Sequence, residues 1–201
     1  MADEEKCLFC EIINGNVPSL KIYENEGVIA VLNIKPSTNG QVLVIPKQHH
    51  TFIHTMPDDA SFQLMTAIKA ITGILSQVLQ CPGINIVYNM GSTAGQKIGH
   101  VSFDIIPRYA GDKVVIDLPE GKVEEEKLYE EQRLIIKAFQ ESTVKLLKAI
   151  KSGEIKVSDE VKAQAEKALK VLESNKAPIN PLKEKDERLE IAKLEEELEK
   201  L

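Results

Sequence analysis

The chain lacks tryptophan altogether, and aromatic residues make up only 4% of its 201 residues. Any core it builds is therefore mostly aliphatic. Three cysteines, Cys7, Cys10 and Cys81, are too few for a disulfide framework. There is no basic surplus: the net charge is −6, which argues against broad nucleic-acid binding through phosphate neutralisation. It leaves room for a small nucleotide held by local groups. No uninterrupted apolar run approaches the ~20 residues that span a bilayer, so no membrane partner is expected. The start, Met1 to Lys6, is polar and acidic, without an apolar segment behind a basic end. These absences together predict a cytoplasmic protein.

What is present is enough apolar material, 43% of the residues, for a real core. Turn chemistry at Asn14-Gly15-Asn16-Val17-Pro18 precedes two expected strands, Leu20 to Glu24 and Val28 to Leu32, around Asn25-Glu26-Gly27. Val42 to Ile45 is a continuous apolar run and reads as a strand buried on both faces. From Asp58, a candidate N-cap, to Gln80 the period becomes helical, with Leu64, Ile68, Ile71, Leu75, Val78 and Leu79 as one stripe. Pro82-Gly83 ends it, and Ile84 to Asn89 reads as a fourth strand. Cys81, alone after the helix, reads as a small buried hydrophobe.

The composition changes near residue 119: residues 119–201 hold 17 of the 25 Lys+Arg and 20 of the 31 Asp+Glu. The expected organisation is a domain over 1–115 and a charged helical extension over 116–201. Lys122 to Ile150 has a long helical pattern, with Leu128, Ile135, Phe139 and Leu146 on one side and Ile136 and Leu147 nearby. Ser152-Gly153 breaks it. Ser158 is a candidate cap for a second helix, with Val161, Ala165, Ala168 and Leu172 as its stripe. After a linker at Ala177 to Pro181, Leu189 to Leu201 reads as an amphipathic helix. Its Ile191, Leu194, Leu198 and Leu201 keep coiled-coil spacing.

The segment Gly99 to Arg108 carries the chemistry. Polar and apolar residues alternate from His100 to Ile105, which in a strand puts His100, Ser102 and Asp104 on one face and Val101, Phe103 and Ile105 on the other. An ordinary half-buried strand with a solvated face gives the same pattern. Cys7-x-x-Cys10 supplies two thiolates at a zinc-ligand spacing. With only four histidines in the chain, the remaining ligands would be one of His49, His50 and His54, together with His100. Such a set is closed and tetrahedral, hence structural. A redox pair or unmetallated thiols are the alternatives left open by spacing alone.

These residues lie within a longer pattern: Cys7-x-x-Cys10-Glu11-Ile12-Ile13, Gly15-x-x-Pro18-Ser19, and Gly40-x-x-Leu43-Val44-Ile45-Pro46-Lys47-x-His49. It continues with Asn89-x-Gly91-x-x-Ala94-Gly95-Gln96 and His100-x-x-x-x-Ile105-Ile106-Pro107-Arg108. In order and spacing it resembles the histidine triad (HIT) family over roughly residues 5–112. The resemblance implies an α+β fold, a five-stranded antiparallel sheet carrying a long helix, here with the C-terminal helical extension added. It also implies a homodimer through that sheet and binding of a purine nucleotide or nucleoside monophosphate. A covalent nucleotidyl-histidine intermediate would form on the middle histidine of the signature. In zinc-carrying members the metal set corresponds to Cys7, Cys10, His49 and His100, with Zn2+ in a structural role.

The resemblance breaks where the chemistry would occur. Ser102 stands at the nucleophile position and Asp104 at the last histidine position. Gln41 stands where histidine is common, Asn33 where an aspartate meets the ribose hydroxyls, and Lys97 where Ser or Thr is frequent. Asn89, Gly95 and Gln96 remain as expected phosphate contacts. The expectation is a nucleotide-binding protein that has lost the hydrolase chemistry. One alternative is an active hydrolase or transferase using Ser102, Asp104 or a metal. The other is a zinc-stabilised structural or interaction module acting through the helical tail.

Overall fold

The structure is a computed structural model and describes residues 7–119 and 121–174, the side chains of 173 and 174 excepted. The chain divides into two units, Met1–Asp117 and Leu118–Leu201. The expected linker at Ala177 and the expected helix from Leu189 lie outside the described residues.

The first unit is an antiparallel sheet of β1 (Lys21–Glu24), β2 (Val28–Leu32), β3 (Val42–Pro46), β4 (Gly83–Val87) and β5 (Phe103–Arg108). Its strand order is β1-β2-β3-β5-β4. The fold is the expected α+β one. The two-residue period of the strands divides the apolar side chains between its faces. Val28, Ala30, Val42, Val44, Phe103 and Ile105 pack against α2 (Asp58–Leu79) through Leu64, Ala67, Ile68, Ile71 and Leu75. Ile29, Val31 and Ile45 face the other way, where α1 (Leu8–Ile13) and Cys7 cover them with Phe9, Ile12 and Ile13. The continuous apolar run in β3 is thus buried on both faces, as its composition predicts. Cys81 is buried, as expected of a small hydrophobe.

Three local expectations need correction. Asp58 is the first residue of α2, not its cap; Pro57 occupies the cap position and no side chain bonds there. Asp58 and Asp59 act instead through charge in the first turn, next to the positive end of the helix dipole. Val78 leaves the stripe and is 72% exposed, because the helix has turned it away from the sheet. By length and composition alone α2 could cross a membrane, although no unbroken apolar run marks it in the sequence. Its inner face is taken up by the sheet. Finally, β5 starts at Phe103, not near His100. The backbone N–H of His100 donates to Ile98 and that of Val101 to His50, so residues 100–102 are held by loops before the ladder begins.

At the far end of β5, Arg108 donates to Asn85 on β4 at 2.5 Å and to Asp112 at 2.7 and 2.8 Å. This bidentate pair pins the sheet edge. It also holds the Asp112 carboxyl well below the usual carboxylate range.

The second unit holds α3 (Glu125–Ser152) and α4 (Asp159–Ser174). Gly153, at φ 82°, ends α3 in the left-handed region that glycine favours. Ser158 Oγ accepts from the Val161 N–H at 3.4 Å, the expected cap. Which apolar side each helix buries is the surprise. Ile150 on α3 and Ala165 and Leu169 on α4 are buried. The expected α3 side, Leu128, Ile135, Phe139 and Leu146, is 50–72% exposed. On α4, Val161 and Ala168 are exposed and Leu169 replaces them inside. Two neighbouring apolar strips exist on each helix, and the pair can bury only one.

Candidate functional site

Two polar clusters flank the α1-covered face of the sheet. The first forms where the start of α1 meets the ends of β3 and of the loop before β5. Cys7 precedes α1 and Cys10 lies in its first turn, so one helical turn brings both thiols to the same side. Cys10 Sγ is 3.3 Å from His49 Nδ1, and Cys7 Sγ is 3.5 Å from His100 Nδ1. Cys10 Sγ is also 3.6 Å from His100 Nδ1. The four ligand atoms lie within 4.8 Å of one another. In a tetrahedral zinc site with Zn–S ~2.3 Å and Zn–N ~2.05 Å, sulfur and nitrogen donors stand ~3.5 Å apart. The observed edges match that figure, so these four side chains fit a metal ion. Between them they choose His49 from the three histidines that spacing left open.

His100 is prepared for this role. Its Nε2 donates to the Pro46 carbonyl at 2.8 Å, which leaves Nδ1 as the lone-pair donor. The ring is 1% exposed, and burial pushes its pKa down to about 4. The neighbouring His49 and His50 lower it further against the raising effect of the Pro46 bond. A neutral imidazole is the form that binds a metal. His54 lies elsewhere, stacked on Phe52 with ring centroids 5.5 Å apart.

The second cluster surrounds Asp104. Cross-strand pairing sets Asp104 between Leu43 on β3 and Val87 on β4. Gln41, 5% exposed, donates through Nε2 to Asp104 Oδ1 at 2.6 Å and accepts at Oε1 from the Ser37 N–H at 2.6 Å. The turn that delivers Gln41 requires Gly40 at φ +82°, where an added Cβ would collide with Leu79. Thr38 fastens the same turn, donating to the Pro107 carbonyl at 2.6 Å. Burial raises the Asp104 pKa; the Gln41 hydrogen bond and the charge of Lys97 act in the opposite direction. Ser102 lies two residues earlier and is half-buried.

The expected ligand contacts divide. Asn33 Oδ1 already accepts from the Lys35 N–H at 2.9 Å. Gln96 spends its whole amide on the chain: Oε1 accepts from Gly91 N–H, and Nε2 donates to the Thr51 and Ile98 carbonyls. It shapes the loop, and a phosphate contact from its side chain would break that frame. Asn89 and Lys97 are exposed, and Gly95, at φ +92°, closes the short turn beside Asn89. The residues that composition could not disclose are Ser37, Thr38 and Pro46, which act through backbone groups or an ordinary hydroxyl.

A HIT domain family model matches residues 14–111. A HIT-like protein of Methanocaldococcus jannaschii is 44% identical over 116 residues, covering 58% of this chain and 89% of the relative. The chain belongs to the HIT family. An adenosine 5'-monophosphoramidase of Candida albicans is 35% identical over 112 residues, 54% of this chain and 74% of that protein. Among solved structures, a HIT family member from Bacillus subtilis superposes with TM-score 0.62 at 33% identity, covering 66% of this chain and 96% of the other. A Zn-bound histidine triad protein from Mycobacterium smegmatis does so with TM-score 0.53 at 31% identity, covering 59% and 86%.

Proposed function

We propose that this HIT domain binds a purine nucleoside monophosphate and has lost the covalent hydrolase step. The observation that carries the reading is the disposition of the four histidines. His49 and His100 are turned into the metal cluster, His50 sits beside it, and His54 stacks on Phe52. None is at the Ser102 position, and His100 has both ring nitrogens occupied by other tasks. Ser102 therefore has no imidazole base, and Asp104 brings negative charge toward an anionic phosphate, which opposes attack on it. Lys97, whose charge reaches Asp104, offsets part of that charge. The four-ligand set holds a structural zinc, and its closed coordination leaves no position for substrate. Two domains pair through the exposed edge of β4, where the ladder has a free side.

One observation favours a second reading. Burial raises the Asp104 pKa, which makes it a better base for Ser102 than a solvated carboxylate. Calorimetry with AMP and incubation with an adenosine phosphoramidate separate the two. The primary reading expects AMP binding with no turnover. It also expects Ser102→His to gain activity from the restored nucleophile. Native turnover that disappears in both Ser102→Ala and Asp104→Ala would establish the second reading and overturn the first.

A further inference from the structure

We infer that the exposed apolar stripe of α3 is the docking surface for a second copy of this chain, α3 against α3 in antiparallel orientation. Leu128, Gln132, Ile135, Phe139, Ser142 and Leu146 follow one another at alternating steps of four and three, the spacing of a coiled-coil seam. All six are exposed, the apolar ones by 50–72%. Successive residues turn by about 100° around a helix. The buried Ile150 and the half-buried Ile136 and Leu147 therefore lie about a quarter turn to one side of this seam. The other flank carries Glu131, Ala138 and Lys145, all exposed.

The alternation of steps reads the same in both directions along α3. A two-fold axis perpendicular to the helix at the level of Lys137 therefore sets Leu128 opposite Leu146 of the second copy and Ile135 opposite Phe139. It sets Gln132 opposite Ser142, so the two polar seam residues meet each other, amide against hydroxyl. Apolar layers meet apolar layers throughout. Such a contact is isologous: both copies use the same patch, and the pair closes on itself.

Charge selects the antiparallel orientation. Glu125 to Glu131 carries four acids and one lysine, and Arg133 to Lys151 carries five cations and one acid. Parallel copies would set acid beside acid and base beside base, whereas antiparallel copies set each acidic half beside a basic one. The outermost charges also suit the dipole of α3 itself, but that influence fades within a turn of each end. Glu131 and Lys145 lie deeper, and neither is in an ion pair among the described residues. Both stand on the flank away from Ile136 and Leu147, and in an antiparallel pair this flank meets its own copy. Helical side chains lean toward their own N-terminus, which brings Glu131 to Lys145 of the second copy, twice, with the small Ala138 midway. The stripe supplies the affinity and the charges supply the orientation. This contact uses α3 alone and is independent of the sheet-edge pairing proposed above.

Zero-length carbodiimide cross-linking of the full chain, read by mass spectrometry, tests the pairing. Within one chain Glu131 and Lys145 are about 21 Å apart along the axis of α3, too far for a bond formed without a spacer. A Glu131–Lys145 link therefore reports two chains, and it should appear in a species of twice the chain's mass. Its absence there would overturn the inference, even for a chain that pairs through its sheet edge. Phe139→Glu and Ile135→Glu each put a charge into the central layers and should lower the link about tenfold. Both positions are exposed in the single chain, so helix content should stay native. Lys137→Gln, on the side of α3 opposite the seam, should leave the link unchanged. A link that survives undiminished in both seam variants would also overturn the inference.

Discussion

His100 and Asp104 are four residues apart, yet the corners they serve obey different rules. At His100 four donors converge at metal-ligand distances, and the one ring nitrogen outside the cluster is fixed by the Pro46 carbonyl. At Asp104 a carboxylate stands where the family resemblance implies a histidine, and a glutamine bridges it to a backbone N–H. A metal demands particular donors at particular distances, so its site is inscribed in residue identity. A ligand cleft depends on which polar groups remain free after the fold has taken its share. That remainder is visible only once every hydrogen bond is placed.

The largest expected effect breaks the metal corner alone. Cys7→Ser should release the metal, measured as about one zinc per chain in the native protein and none in the variant. The loss costs several kcal/mol in a domain of this size, lowering Tm by about 10 °C or more. Chelation of the native protein should do the same. Retention of the native melting temperature in the metal-free state would remove the structural role assigned to the cluster. The Asp104 corner should survive, with Gln41 and Asp104 still paired and AMP binding reduced only by the fraction unfolded.

The middle effect tests the other corner. Gln41→Ala deletes the acceptor for the Ser37 N–H and the donor to Asp104 at a buried position. Leaving two polar groups unsatisfied costs about 1–3 kcal/mol, readable by urea unfolding. Zinc content should stay native. A loss of zinc in this variant would show that the corners are coupled through β3 and that the contrast between them is too sharp.

How much of the molecule is legible in its sequence follows the same division. The five strands, α2 and the Cys-x-x-Cys cluster are legible, because alternation, helical period and ligand spacing are local signals. The true start of β5 is not, since the His100–Ser102 segment alternates like a strand while His50 and Ile98 hold its backbone. On α3 the apolar side at Leu128 and Phe139 has the pattern of a core face, but it is exposed, while Ile150 is buried and Ile136 and Leu147 are half-buried. Two equally apolar strips cannot be ranked without knowing the neighbour. Gln96 has the side-chain type of a ligand contact, yet its amide is spent on Gly91, Thr51 and Ile98. Side-chain type announces capacity, not allocation.

The smallest effect is the most discriminating for the Asp104 corner. Asn keeps an Oδ1 for the Gln41 donor and removes only the charge, so Asp104→Asn isolates the electrostatic part of the contrast. Burial is the dominant influence and raises the folded-state pKa of Asp104 above its unfolded value. The folded state then holds the proton more tightly, and native stability falls as pH rises through the window between the two values. Above that window the ionised carboxylate costs stability that Asn does not. The variant should therefore melt about 1–3 °C higher than native at pH 7. As the pH is lowered through the raised pKa the two curves should converge, meeting only below about pH 3, where Asp104 is protonated in both states. Loss of the Lys97 attraction subtracts little, because that ammonium is exposed and screened. An Asn variant that melts below native at pH 7 would mean that Lys97 and Gln41 stabilise the carboxylate more than burial penalises it. In that case the Asp104 corner would be a satisfied anion site, requiring its charge just as the metal corner requires its donors.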